Sequence, residues 1–204
     1  MFIDNCIKSL LNQSINNIEI IVVDDASTDS TIEVLKKYLT VKVIKLTENK
    51  GTYHARNIGI QQASGEFITF QDSDDWSHPQ RLELQLNELL NSNNKIASFS
   101  HFFRVDEALG VPVCRQNYPL LRLNLSSMMI SRLVLQHLGG YDSSRRIESD
   151  KKLFQLIKSV YNESSISYVR KPMAIGSYRK NSLTTAHSSG FNKYGFSSER
   201  NLYD

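Results

Sequence analysis

From Ile3 to Leu90 the chain alternates helix-period stretches with short β-branched runs, and that alternation restricts the fold more than any other feature of the sequence. Ile3, Cys6, Ile7, Leu10 and Leu11 recur at helical spacing and predict a helix over 3–13. Ile18 to Val23 is almost wholly β-branched, as expected of a strand buried on both faces. Ile32, Leu35, Tyr38 and Leu39 predict a second helix, Val41 to Leu46 a second strand, and 52–63 a third helix with Ala55, Ile58 and Ala63 inward. Glu66 to Phe70 reads as a third strand. Pro79 suits the first position of a further helix whose apolar face is Leu82, Leu86, Leu89 and Leu90. This order implies an α/β layer structure around a mainly parallel sheet.

After residue 95 the pattern is less regular. Ile96 to Val105 and Leu125 to Ile130 read as strands, Ser131 to Leu138 as a short helix ended by Gly139-Gly140, and Glu148 to Tyr161 as a helix. Ile166 to Val169 and Met173 to Tyr178 read as two short strands, and Ser182 to Asp204 as a polar loop or tail. The 204 residues fit one domain, divided as 1–185 with a polar tail over 186–204. Hydrophobic residues make up 40% and charged residues 22%, proportions that suit a buried core. A net charge of +3 with scattered basic residues excludes an argument for nucleic acid. No apolar run approaches the roughly 18 residues of a membrane span. Met1-Phe2-Ile3-Asp4 has no secretory n-region, and Cys6 and Cys114 match no metal spacing, so two reduced thiols in a cytoplasmic protein are expected.

Two acidic clusters follow predicted strands, where open α/β sheets place their ligands. They are Asp24-Asp25 and Asp72-Ser73-Asp74-Asp75. Crowded carboxylates repel unless a cation or hydrogen-bond donors offset the charge. An oxygen-only set of this kind suits Mg²⁺ or Mn²⁺ bridging a diphosphate. Helix capping and turn formation are the competing roles of these residues.

Val22-Val23-Asp24-Asp25-Ala26-Ser27-Thr28-Asp29 resembles the V-V-D-D-x-S-x-D segment of inverting family 2 glycosyltransferases of GT-A fold. Asn49-Lys50-Gly51 with Ala55-Arg56-Asn57-Ile58-Gly59 is similar to their N-x-G-x-x-x-A-R-N-x-G segment. Ala63-Ser64-Gly65-Glu66-Phe67-Ile68 leading to Asp72-Ser73-Asp74-Asp75-Trp76 resembles their third strand and D-x-D motif. Gly139-Gly140-Tyr141-Asp142 with Glu148-Ser149-Asp150 is similar to the later G-G-[FY]-D and E-D region. The order and spacing of these motifs, over roughly 3 to 185, make the resemblance specific.

The resemblance implies a metal-dependent, inverting transfer of a sugar from a nucleotide-diphosphate donor, UDP being the commonest carrier, to a hydroxyl of a saccharide or lipid-linked acceptor. Surface polysaccharide or glycoconjugate synthesis, at the inner face of the membrane through peripheral association, belongs to the same implication. Asp24, Asp25 and Arg56 would hold the nucleotide. Asp72 would contact the ribose or the metal's water shell, Asp74 would coordinate Mn²⁺ or Mg²⁺, and Asp75 would support it. Asp150 would be the general base, with Glu148 as the alternative because Ser149 stands where the family commonly has Glu; favouring the N-terminus of their helix is the competing role of both. His187 is a further metal or phosphate candidate, Arg179 a further phosphate candidate, and Trp76 could line the acceptor or sugar pocket. His78 fits the turn before Pro79.

Family members usually begin with a central buried strand that precedes the helix containing Phe2, and this sequence starts after it. An N-terminally truncated GT-A fold is therefore expected, with two neighbouring strands short of a partner. A glycosyltransferase-like module without catalysis is the rival reading. A signalling receiver domain also places acidic residues after strands, but the segment following Asp72 lacks the Met-Pro-x-Met-Asp-Gly pattern expected there.

Overall fold

The computed structural model describes residues 2–113 and 119–179, with the backbone of 191–192 and 195–196. Cys114, His187 and most of the predicted tail lie outside the described residues. The predicted alternation is present: α1 (Phe2–Leu11), β1 (Ile20–Asp24), α2 (Thr31–Leu35), β2 (Val41–Lys45), α3 (Thr52–Gln62), β3 (Phe67–Thr69), β4 (Trp76–Ser77) and α4 (Arg81–Leu90). The second half adds β5 (Ala97–Asp106), β6 (Val111–Pro112), β7 (Arg122–Ser131), α5 (Arg132–His137), α6 (Ser149–Tyr161) and β8 (Ile166–Tyr178). Phe191–Asn192 and Gly195–Phe196 form a short antiparallel pair, β9 and β10.

The α/β class holds, but the strand pairing is more mixed than the mainly parallel sheet that the alternation implies. Strands β1 and β2 pair in parallel as a sheet of their own, Ile20 opposite Val41. The larger sheet has the order β3-β7-β5-β8-β4, with β6 added to β5. In it only β5 and β8 run parallel; β3/β7, β5/β7, β4/β8 and β5/β6 are antiparallel. The parallel pair is the one joined by a long crossover through α5 and α6, as parallel pairing requires.

Two local expectations are corrected. The two short strands expected between Ile166 and Tyr178 are one strand, whose register against β5 shifts on either side of His101. Pro172, which lacks an N–H for the ladder, sits at that irregularity opposite His101. Pro79 does not open α4; it lies in a turn closed by the Arg81 N–H on the His78 carbonyl at 2.9 Å, and the helix starts at Arg81.

The main core lies between the larger sheet and helices α3, α5 and α6, with Ala97, Phe99, Ile130, Leu135 and Ile157 nearly or fully enclosed. A smaller core joins α1 and α2 to the parallel pair through Ile3, Ile7, Leu35 and Val41. Each of β1 and β3 pairs along one edge only, and among the described residues no strand bridges the two. Residues 17–25 and 63–75 line a single cleft between them, so the functional ends of both strands open into the same space.

Candidate active site

The cleft has a volume of about 1590 Å³, and every predicted site residue lines it: Asp24, Asp25, Arg56, Asp72, Asp74, Glu148 and Asp150. Asp24 ends β1 and is 4% exposed. Its Oδ2 is buried without a hydrogen-bond partner among the described residues. An orphaned buried acceptor is costly, and a ligand donor would satisfy it. Asp25, one residue on, is held by backbone donors. Its Oδ1 accepts the Lys50 N–H at 2.8 Å and its Oδ2 the Gly51 N–H at 2.7 Å. The Asn49 amide donates to the Asp25 carbonyl at 3.1 Å, so the Asn49-Lys50-Gly51 turn is strapped to the end of β1. Gly51, at φ +93°, supplies backbone freedom that a side chain would resist, and α3 begins with the next residue.

Arg56 projects from α3 into a box of aromatic rings, its guanidinium carbon 5.7 Å from the Tyr53 centroid, 5.5 Å from Phe70 and 5.2 Å from Tyr141. It pairs with Asp72 Oδ1 at 2.5 Å and donates to Ser126 Oγ at 3.1 Å. Burial opposes its charge, but the Tyr141 phenol, Asp72 and Asp150 outweigh burial and the proton is held more firmly than in an ordinary arginine. The Ser126 hydroxyl completes the Asp72 carboxylate by donating to Oδ2 at 3.1 Å.

Beyond Asp72 the acidic turn is electrostatically strained. The Asp75 N–H closes the turn on the Asp72 carbonyl at 3.1 Å. Burial, then the charge of Asp72, raises the Asp74 carboxyl above its ordinary range. Burial, then Asp72 and Asp74, raises Asp75 to about 8. Arg179 reaches Asp74 at 3.1 Å and supplies part of the missing positive charge. Among the described residues no group of three or more His, Cys, Asp or Glu forms a metal cage. Magnesium-type sites commonly use one or two carboxylates and complete the shell with water and substrate phosphates, which the crowded Asp72–Asp75 turn fits.

Asp150 stands in the first turn of α6, where its Oδ1 accepts the Tyr53 hydroxyl and the Lys151 N–H, each at 3.0 Å. Glu148 precedes the helix in a left-handed conformation, φ 64°, unusual for a residue with a side chain. Its carboxylate lies 3.9 Å from Lys151. Asn57, read in the sequence only as part of a motif, is a clamp: its amide donates to the Tyr141 carbonyl at 2.8 Å and accepts the Tyr141 N–H at 2.9 Å. Gly140 makes that approach feasible, because a Cβ there would meet Asn57 Oδ1 at 2.6 Å.

Sequence reasoning missed Tyr53, Phe70 and Ser126. The available signal was the spacing of Tyr53 and Arg56 on one face of α3. Trp76 lines a neighbouring groove of about 490 Å³ with Phe2, and that groove shares Asp74 and Asp75 with the cleft. Cys6 is buried, with its thiol pushed up to about 12 by burial, and it accepts from the Gln71 amide at 3.2 Å. His78 serves the turn before α4, as expected; its Nδ1 accepts the Gln80 N–H at 3.2 Å. No described helix is long and apolar enough to cross a membrane.

A family model described as glycosyl transferase family 2 matches residues 2–154. An uncharacterized glycosyltransferase of Haemophilus influenzae is 43% identical over 96 residues, covering 45% of this chain and 38% of that protein. The putative teichuronic acid biosynthesis glycosyltransferase TuaG of Bacillus subtilis is 38% identical over 93 residues, 44% of this chain and 37% of that one. The matched stretches thus span well under half the length of these relatives. The crystal structure of S. aureus TarS 1-349 in complex with UDP superposes with a TM-score of 0.67 at 25% identity, covering 86% of this chain and 56% of that chain. The same TarS portion in complex with UDP-GlcNAc gives a TM-score of 0.67 at 24% identity, a likeness of fold.

Proposed function

The chain belongs to glycosyl transferase family 2, and from that premise we propose that it transfers a sugar from a nucleotide-diphosphate donor to an acceptor hydroxyl with inversion at the anomeric carbon. The observation that carries this reading is the convergence of Asp24, Arg56, Asp72, Asp74 and Asp150 from separate elements on one cleft. The unsatisfied Asp24 Oδ2 is suited to accept an N–H of the nucleotide base. Asp74, with Asp72 beside it, would hold a divalent cation, Mn²⁺ or Mg²⁺. Such a cation, when bound, offsets the charge that develops on the departing diphosphate. Arg56 holds Asp72 in place, and Arg179, paired with Asp74, lies on the cleft wall where the phosphates would come.

In the transfer, the acceptor oxygen forms a bond to the anomeric carbon while the bond from that carbon to the diphosphate oxygen breaks. Asp150 takes the acceptor's hydroxyl proton, and the bonding electrons leave with the nucleotide diphosphate. Glu148, also on the cleft wall, is the alternative base. The TarS complex with UDP supports UDP as the carrier, and the name of TuaG supports a polysaccharide acceptor. In this reading the acceptor is a saccharide or lipid-linked chain met at the inner face of the membrane through peripheral association.

The reading is tested by Asp150→Asn with UDP-sugars and Mn²⁺. Transfer should fall by about 10²–10⁴-fold, with UDP affinity unchanged by calorimetry. Wild-type turnover in that variant removes Asp150 as the base, and equal loss in Glu148→Gln alone moves the role there. The alternative is a glycosyltransferase-like module without catalysis, and the pairing of β1 and β3 along one edge each among the described residues is the observation on its side. A broad, non-cooperative circular dichroism melt together with no UDP binding would select it.

A further inference from the structure

We propose that Tyr53 is a positioning residue that holds the Asp150 carboxylate toward the cleft, and that α3 thereby sets the spacing between the base and the acidic turn. This deepens the reading above and rests on Asp150 being the base. An aspartate in the first turn of a helix has a competing occupation, since its carboxylate can fold back on the free N–H groups of its own helix. The Lys151 N–H already holds Oδ1 at 3.0 Å in this way. The Tyr53 hydroxyl donates to the same oxygen from across the cleft, also at 3.0 Å. Two donors converging on Oδ1 fix the plane of the carboxylate and assign Oδ2 to the acceptor hydroxyl.

The phenol is well placed to hold rather than to react. Tyr53 is 8% exposed, and its ring stacks on Tyr141 with centroids 5.4 Å apart and planes 23° from parallel. Burial, then the charge of Asp150, pushes its pKa above the ordinary tyrosine range. It therefore stays protonated and donates at neutral pH; it cannot itself accept the acceptor's proton. One turn further along the same face of α3, Arg56 grips Asp72 at 2.5 Å. A single rigid helix thus grasps one carboxylate from α6 and one from the acidic turn after β3. Their separation is set by a three-residue step on α3 rather than by α6 and the acidic turn that carry them.

The test is Tyr53→Phe, which keeps the ring and its stack and removes only the hydroxyl. Crystals of the variant should show the Asp150 carboxylate displaced by about 1 Å or more, and kcat should fall about 10–100-fold, the scale expected of such a misplacement. The kcat probe is UDP release from a panel of UDP-sugars with Mn²⁺, water serving as acceptor. UDP affinity in the presence of Mn²⁺ should change by less than about twofold, since Asp74 is untouched. The Tyr53→Phe, Asp150→Asn double variant should be no slower than Asp150→Asn alone, because Tyr53 acts through Asp150. A carboxylate unmoved in the Tyr53→Phe crystals, an unchanged kcat, or the same fold-loss in the Asp150→Asn background would each overturn the proposal. Wild-type turnover in Asp150→Asn instead defeats the base assignment, an outcome read on a different variant.

Discussion

The two acidic turns at the cleft rim look alike in sequence and are built on opposite principles. After β1, each Asp25 oxygen accepts a backbone donor from the Lys50-Gly51 turn, while one buried Asp24 oxygen has no partner among the described residues. After β3, Asp72 is completed by Arg56 and Ser126, but Asp74 and Asp75 are pushed toward protonation by burial and then by the charge of Asp72, with Asp74 adding to the push on Asp75. The first turn is a strap with a single recognition atom. The second is a charge excess that becomes stable when positive charge arrives. An acidic pair at a strand end therefore carries no fixed meaning; what matters is whether local backbone donors have already neutralised it.

That contrast can be broken at several points. The largest effect is expected from Asp74→Ala. It should weaken metal-dependent UDP binding by roughly 100-fold or more, about 3 kcal/mol, by calorimetry with Mn²⁺. A change under about threefold would mean that the second turn is not a cation site. Asp25→Ala should act on the fold instead, lowering stability by about 2–4 kcal/mol through two lost charge-assisted hydrogen bonds. If a denaturant titration shows stability intact and UDP binding lost, Asp25 is a ligand and not a strap.

The third test uses pH. Asp75 is raised to about 8 in the fold, so the native chain keeps a proton that the unfolded chain loses near an ordinary carboxyl pKa of about 4. Between those values the unfolded state binds fewer protons, and this group's contribution to stability falls as pH rises, fully lost above about 8. Thermal melts of the metal-free protein should show that decline, and Asp75→Asn should flatten it. Mn²⁺ should raise the midpoint more at high pH than at low pH, because metal ligation needs the deprotonated carboxylate. The smallest structural effect is expected from Asp24→Asn, less than about 1 kcal/mol, since Oδ2 has no partner to lose. The same change should weaken UDP by about tenfold; unaltered affinity would show that the empty oxygen faces no ligand atom.

Much of this was legible beforehand because the alternation from Ile3 to Leu90 is carried by local apolar periodicity, and the acidic turns fall at strand ends by that reading alone. The partners of each carboxylate were not legible, because they come from distant stretches of chain: Asp72 meets Arg56 and Ser126, and Asp150 meets Tyr53. Asn57 illustrates the limit. Its place in a motif carried no role for its side chain, which the fold uses to clamp the Tyr141 backbone. The continuity of β8 through Pro172 was hidden for a related reason, since a proline interrupts the local pattern while the ladder to β5 tolerates a shift of register.

Crystals grown with UDP and Mn²⁺, with anomalous scattering recorded at the manganese edge, decide whether the acidic turn holds the cation. One strong peak is expected beside the Asp74 carboxylate, with Arg179 displaced from its 3.1 Å contact. UDP bound in the cleft with no peak beside Asp74, or manganese held elsewhere, would contradict a cation site there.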